Sequence, residues 1–262
     1  MRALITGASR GIGAAIALQL TRDARAAGQT VRLAIGATHP GEHLANLLSE
    51  LKSLGADAVA VLGDLSDPAV PARLVSEAEE FCGGLDALVC NAGILGPSSL
   101  AQLDIDSWDR LFAVNTRATW LLAQAAYPAL KNSCGAMVAV ASMAGMQAHP
   151  NSGAYSSSKA AMIMLCQQLA LEWATDGIRV NSLSPGMVHT TLTDRLYQNA
   201  DVAARRKAIV PLHRIGQPED IAHTVAFLLS PGATYITGQN ICVDGGFTHS
   251  LMSTIPGMPK TD

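Results

Sequence analysis

Ala3-Leu4-Ile5-Thr6-Gly7-Ala8-Ser9-Arg10-Gly11-Ile12-Gly13 passes from a short apolar run through a glycine-rich turn into an amphipathic stretch. Strand, turn and helix in that order open a dinucleotide-binding α/β unit, and the glycines there have separate tasks. One permits the tight turn, one lets the backbone approach a pyrophosphate, and one lets the helix pack closely on the sheet. The helix start also offers free N–H groups and the positive end of its dipole to an anion. The spacing is Gly-x-x-x-Gly-x-Gly, not the commoner Gly-x-Gly-x-x-Gly. Gly7, Ser9, Arg10, Gly11, Ile12 and Gly13 are the first candidate cofactor contacts.

The same alternation continues along the chain. Strand candidates are residues 3–5, 31–35, 58–62, 87–90, 137–141, 180–183 and 240–243. Helix-like segments lie between them at 12–27, 42–54, 69–82, 108–130, 154–175 and 219–229. Continuous apolar strands separated by helical crossovers predict a seven-stranded parallel sheet with helices on both faces. No internal repeat or low-complexity linker interrupts them, so residues 1–262 read as a single domain. Two segments break the rhythm. Residues 188–212, with Asp201-Val202-Ala203-Ala204-Arg205-Arg206-Lys207, read as a substrate lid or as a solvated helical excursion. The tail, 247–262, lies beyond the last strand, either frayed or docked on a neighbouring subunit.

Composition narrows the function. Of 262 residues, 49% are apolar and 15% charged, which excludes a disordered chain and suggests a large core or an oligomer. A net charge of −3 and 4% aromatic residues argue against nucleic acid or an anionic membrane surface as partner. No apolar run approaches the roughly 20 residues of a spanning helix, and no signal peptide is evident. The five cysteines (Cys82, Cys90, Cys134, Cys166 and Cys242) are scattered and odd in number, which reads as buried structural thiols in a reducing compartment, the cytoplasm. His39 and His43 have an i,i+4 spacing, but no convincing third ligand accompanies them, so no metal is expected.

Further motifs follow the strands in order: Asn91-Ala92-Gly93 after the fourth, Asn115 in the next helix and Ser142 after the fifth. Tyr155-Ser156-Ser157-Ser158-Lys159 starts a helix, Pro185-Gly186 follows the sixth strand and Asp244-Gly245-Gly246 the seventh. With the glycine turn, this set resembles the short-chain dehydrogenase/reductase family over about residues 1–247. The resemblance implies a single doubly wound Rossmann domain and an NAD(P)-dependent oxidoreductase that interconverts a small or medium carbonyl compound and its alcohol.

Tyr155 and Lys159, four apart, share one helix face. A phenol's ordinary pKa near 10 is high for proton exchange at neutral pH, and a nearby ammonium is expected to lower it. The resemblance gives Tyr155 the role of general acid/base and has Lys159 also hold the nicotinamide ribose. Ser142 polarises the substrate oxygen, and Asn115 supports a water that relays protons from Lys159. By the same resemblance Asp64 and Leu65 contact the adenine, Thr190 binds the nicotinamide carboxamide, and Asn91, Ala92, Gly93, Pro185, Gly186 and Val188 line the cofactor groove.

NAD-binding members of dinucleotide folds carry an acid near the end of the second strand. Here Ile35-Gly36-Ala37-Thr38-His39-Pro40-Gly41 has none, while Arg10 sits in the glycine turn, so NADP(H) is favoured, with Thr38 as a donor and NAD(H) as the alternative. An Asp at Gly36 should then favour NADH. Met143, Met146, Val188, Leu192 and Leu196 are expected to wall the substrate pocket, with His149, Asn151 and His189 as polar handles. A homotetramer or homodimer is expected, since Ala160, Ala161, Met164, Leu165 and Leu169 exceed what one core face needs. Two other readings stay open: a 3-oxoacyl reductase acting on acyl carrier protein, and a non-catalytic dinucleotide sensor on the same fold.

Overall fold

The computed structural model describes residues 1–255 and 257. Its centre is one parallel sheet of β1 (Arg2–Ile5), β2 (Arg32–Ala37), β3 (Asp57–Leu62), β4 (Ala87–Cys90), β5 (Ala136–Val140), β6 (Arg179–Pro185) and β7 (Asn240–Val243), in the order β3-β2-β1-β4-β5-β6-β7. Because side chains alternate across a strand, each strand feeds two cores. Ala3, Ile5, Leu33, Ile35, Val89 and Val138 face α1 (Gly11–Ala26), α2 (Glu42–Ser53) and α9 (Pro218–Leu229). Leu4, Ala34, Leu88, Met137 and Val180 face α3 (Val70–Cys82), α5 (Ala118–Ser133) and α6 (Tyr155–Trp173). Both faces being covered explains why the strands read as unbroken apolar runs. Full burial of a side chain such as Leu88 contributes about 1.5–3 kcal/mol.

The strand order reverses between β1 and β4, and the crevice beyond their carboxyl ends is where such sheets bind ligands. One side chain locks that crevice. The Thr6 hydroxyl donates to Val89 O (3.3 Å) and accepts from the N–H groups of Asn91 (3.1 Å) and Ala92 (3.2 Å). Asn91 Nδ2 returns bonds to Thr6 O (3.0 Å) and Gly7 O (2.9 Å). Gly7, at φ +61°, approaches so closely that a Cβ there would lie 2.7 Å from Ala92 Cα.

The structure departs from the sequence reading in four places. Residues 108–130 were expected as one helix, but α4 (Ile105–Phe112) starts at Asp104, whose carboxylate caps Ser107 N at 2.7 Å. A π-helical turn, Ala113–Arg117, then separates α4 from α5. The 188–212 segment folds into α7 (Asp194–Tyr197) and α8 (Ala200–Ile209), the latter capped by Asn199 Oδ1 on Asp201 N and Val202 N. Leu169 belongs to the core, whereas Met164 and Ala160 are exposed. Cys134 is exposed where α5 ends in a left-handed residue, so it is not a buried thiol. The tail forms short 3-10 turns at Phe247–His249 and Leu251–Thr254, and the rest of the expected tail lies outside the described residues. Among the described residues no helix is long and apolar enough to cross a membrane.

Thr6→Val keeps the side-chain shape and removes the hydroxyl, leaving the Asn91 and Ala92 N–H groups without their acceptor. We expect a loss of about 1–3 kcal/mol in urea unfolding with an unchanged m-value. An unshifted midpoint would remove the lock from this account.

Candidate active site

The glycine turn is shaped by backbone contact. A Cβ on Gly13 would lie 2.6 Å from both Ala8 Cα and Asn91 Nδ2, so this glycine sets helix-to-sheet packing behind the groove and does not line it. Arg10 stands at the N-cap of α1 in extended conformation without a side-chain cap, which leaves the first-turn N–H groups without a side-chain acceptor. Gly7, Ser9, Arg10, Gly11 and Ile12 line one wall of a cleft of about 510 Å³, within the roughly 300–1,000 Å³ usual for ligand sites. Thr38, Asp64 and Leu65 line one end, and Asn91, Ala92 and Gly93 the floor. Pro185, Gly186, Val188 and Thr190 form the opposite wall. A cleft lined by the glycine turn, beside an uncapped helix start, fits the pyrophosphate of a dinucleotide.

At the floor, Ser142 caps the short turn Met143–Gly145, its Oγ accepting from Ala144 N at 3.1 Å. With that lone pair engaged, the hydroxyl proton is available to a substrate oxygen. Ser142 and Tyr155 line the same cleft. Lys159 is 3% exposed, and its ammonium donates to Val140 O at 2.9 Å. Its Nζ lies 5.9 Å from the Tyr155 ring centroid.

Burial governs both ionisations. It pulls Lys159 down to about 8 and raises the Tyr155 phenol, with the Ser142 hydroxyl acting in the lowering direction. The expectation that the ammonium lowers the phenol thus meets a stronger opposing cause: Lys159 is directed at Val140, and desolvation dominates. At the other end, Ser66 N bonds Asp64 Oδ1 at 2.9 Å and holds that carboxyl below its usual range, assisted by Arg110 at 3.6 Å.

Asn115 lies in the π-helical turn, fully buried, and does not line the cleft. Its Oδ1 accepts from Ile94 N (2.8 Å), and its Nδ2 donates to Ile94 O (3.1 Å) and Ser158 Oγ (3.1 Å). Ser158 Oγ in turn donates to Tyr155 O at 2.8 Å. This buried chain ties the loop after β4 to the first turn of α6. The widened turn brings Asn115 to face Ile94, a use typical of π-bulges at functional sites. Thr6, Ser158 and the Val140 carbonyl were absent from the sequence reading, which has no signal for a partner chosen by tertiary contact.

Among the expected substrate-pocket residues, Met143, His149, Leu192 and Leu196 line the cleft, whereas Met146, Asn151 and His189 do not. Met146 Sδ instead accepts from Asn240 Nδ2 at 3.0 Å, and His189 pairs with Asp194 at 2.9 Å. Gly36 and Ala37 both line the cleft, but a Cβ on Gly36 would lie 3.1 Å from Thr6 Cα, so an acid is accommodated with less displacement at Ala37. Among the described residues no group of three or more His, Cys, Asp or Glu could hold a metal ion.

The family model described as enoyl-(acyl carrier protein) reductase matches residues 7–248. A 3-oxoacyl-(acyl-carrier-protein) reductase of Staphylococcus aureus is 36% identical over 245 residues, covering 93% of this chain and 96% of that protein. A 2-(S)-hydroxypropyl-CoM dehydrogenase of Xanthobacter autotrophicus is 38% identical over 249 residues, covering 93% and 95%. The solved structure of a short-chain dehydrogenase from Burkholderia cenocepacia, in complex with NADP, superposes with a TM-score of 0.84 at 34% identity, covering 94% of this chain and 97% of that one. The seven-stranded order, the glycine turn and the Ser142, Tyr155 and Lys159 cluster agree with these matches: the chain is an oxidoreductase that belongs to the short-chain dehydrogenase/reductase family.

Proposed function

We propose that the chain is an NADP(H)-preferring reductase of a free small or medium carbonyl compound. The observation that carries the reading is Ser142, Tyr155 and Lys159 converging at the floor of the groove that begins at the glycine turn. The reduced nicotinamide, when bound, supplies the hydride. Ser142 holds the carbonyl oxygen, and Tyr155, kept protonated by burial, donates the proton to it. Lys159 has donors left after its bond to Val140, and these hold the ribose hydroxyls. Asn115 positions Tyr155 through Ser158 and supports the relay water. Residues 188–212 act as the substrate lid on a single domain.

Three features support the finer assignments. At the adenosine end the acid that lines the cleft is Asp64, and Arg110 offsets its charge, while Arg10 and Thr38 offer donors to a 2′-phosphate. Against a carrier-protein substrate, Lys131, which precedes β5, is held by Asp176 at 2.8 Å and so is no free landing cation. The 3-oxoacyl carrier-protein reading keeps its support from the 36%-identical relative and from the basic run Arg205-Arg206-Lys207. A homotetramer or homodimer would cover Trp120, Met164 and Leu171, which are 45%, 62% and 81% exposed on α5 and α6. The five free thiols suit the cytoplasm.

Tyr155→Phe should lower turnover on a panel of ketones by at least about 10²-fold while NADPH titration changes little. Turnover within a few-fold of the native enzyme would remove Tyr155 as proton donor. Direct fluorescence titration should show NADPH binding at least about tenfold tighter than NADH, with Ala37→Asp reversing the order. Tighter native binding of NADH would contradict the preference. Because Lys159 loses its charge near pH 8, kcat/KM for NADPH should be level below that pH and fall as pH rises through it. Lys159→Met should abolish this inflection, and a native profile level to pH 9.5 would refute the assignment.

A further inference from the structure

Three adjacent basic residues on α8 have unequal surroundings. Arg205 and Lys207 are exposed, whereas Arg206 is half-buried and lines the cleft, as do Tyr197, Leu196 and His149. The Arg206 guanidinium lies 5.6 Å from the Tyr197 ring centroid and donates from Nη1 to Tyr197 Oη at 3.4 Å. The Tyr197 ring meets His189 edge-on at 5.1 Å, which fixes α7 against the loop after β6. The stacked guanidinium is therefore held in place before any ligand arrives, so little side-chain entropy is lost on binding.

No carboxylate among the described residues lies within ion-pairing distance of Arg206. Of the two acids in 188–212, Asp201 lies in the first turn of α8, and Asp194 has Oδ1 on His189 Nε2 at 2.9 Å and Oδ2 on Gln198 Nε2 at 2.9 Å. Of the cleft's other arginines and lysines, Arg110 faces Asp64, Lys159 donates to Val140 O, and Arg10 stands at the glycine turn. A half-buried arginine with free donors, stacked on an aromatic ring in a ligand cleft, is a receptor for a planar or tetrahedral anion. The surrounding wall of Leu192, Leu196 and Met143 suits an aliphatic stem.

We infer that Arg206 seats an anionic group on the substrate, so that the compound reduced is an oxoalkyl acid with its ketone at Tyr155 and its anion under α8. The inference deepens the carbonyl-reductase reading and rests on it. Carboxylate, sulfonate and phosphate share the recognised chemistry.

The test assays native enzyme with NADPH on oxoalkyl carboxylates, sulfonates and phosphonates, each against its uncharged ester of equal chain length. The native enzyme should favour at least one anion over its ester by about tenfold or more in kcat/KM, and the favoured anion identifies the source. In Arg206→Met the KM for that anion should rise at least about tenfold more than the KM for its ester, with Arg206→Lys between the two. Arg205→Ala should leave the anion-to-ester ratio as it is. The inference falls if every ester matches its anion in the native enzyme, or if Arg206→Met weakens both partners equally. It also falls if that variant weakens NADPH titration by the same factor, which would place Arg206 on the cofactor. Failure of the reaction reading looks different: no ketone, charged or neutral, would then turn over. Calorimetric titration of the same anions into the NADP complex, native and Arg206→Met, still decides whether Arg206 binds them.

Discussion

The Thr6 hydroxyl, bonded to three backbone groups at the ends of β1 and β4, is the constraint on which the site depends. The two strands are neighbours only because the sheet order reverses there, so their loops diverge to opposite faces and leave a crevice. Without a bond across that crevice, the glycine turn and the Asn91-Ala92-Gly93 floor would move independently. Thr6 and Asn91 join them through short bonds, and the close approach of Gly7 to Ala92 follows. The same floor then reaches Ile94, Asn115 and Ser158, and so the first turn of α6. Groove and Tyr155 are thereby parts of one connected hydrogen-bonded body.

Desolvation gives that body its chemical character. It raises Tyr155 and lowers Lys159, moving the two groups' ionisations apart. A proton donor in carbonyl reduction needs to hold its proton at neutral pH, and burial secures that. Lys159 keeps its ammonium near neutrality despite being buried, with Val140 O as a fixed acceptor. The polar groups of the floor are paired throughout: among the described residues no buried side-chain nitrogen or oxygen lacks a partner.

Much of this was legible in the sequence, for reasons tied to spacing. The apolar strands were readable because both faces of the sheet are covered, and Tyr155 and Lys159 because an i,i+4 pair shares a helix face wherever the helix lies. What stayed hidden depends on contacts distant in sequence. Asn115 was placed in an ordinary helix because a π-helical turn has no residue signature, and its amide goes to Ile94 and Ser158. The Arg205-Arg206-Lys207 run is uniform as sequence; only the packing of α8 on Tyr197 makes its middle member different. The phenol's ionisation was misjudged because spacing shows the nearby charge but not the loss of solvent.

The segment between β6 and α9 has a closed base. Its entry and exit pair as a short parallel bridge between Val188 and Gly216, with His189 N bonding Gly216 O and Gly216 N bonding Met187 O, both at 2.9 Å. Leu212 N also bonds Gly245 O at 3.2 Å, beside the last strand. A loop whose ends are pinned pays for added or removed residues only through the slow logarithm of its length. Mutational drift inside α7 and α8 can therefore proceed without disturbing the sheet or the dinucleotide groove. The fold separates a heritable chassis from an exchangeable cassette, and one segment of the chain can be rewritten without rewriting the rest.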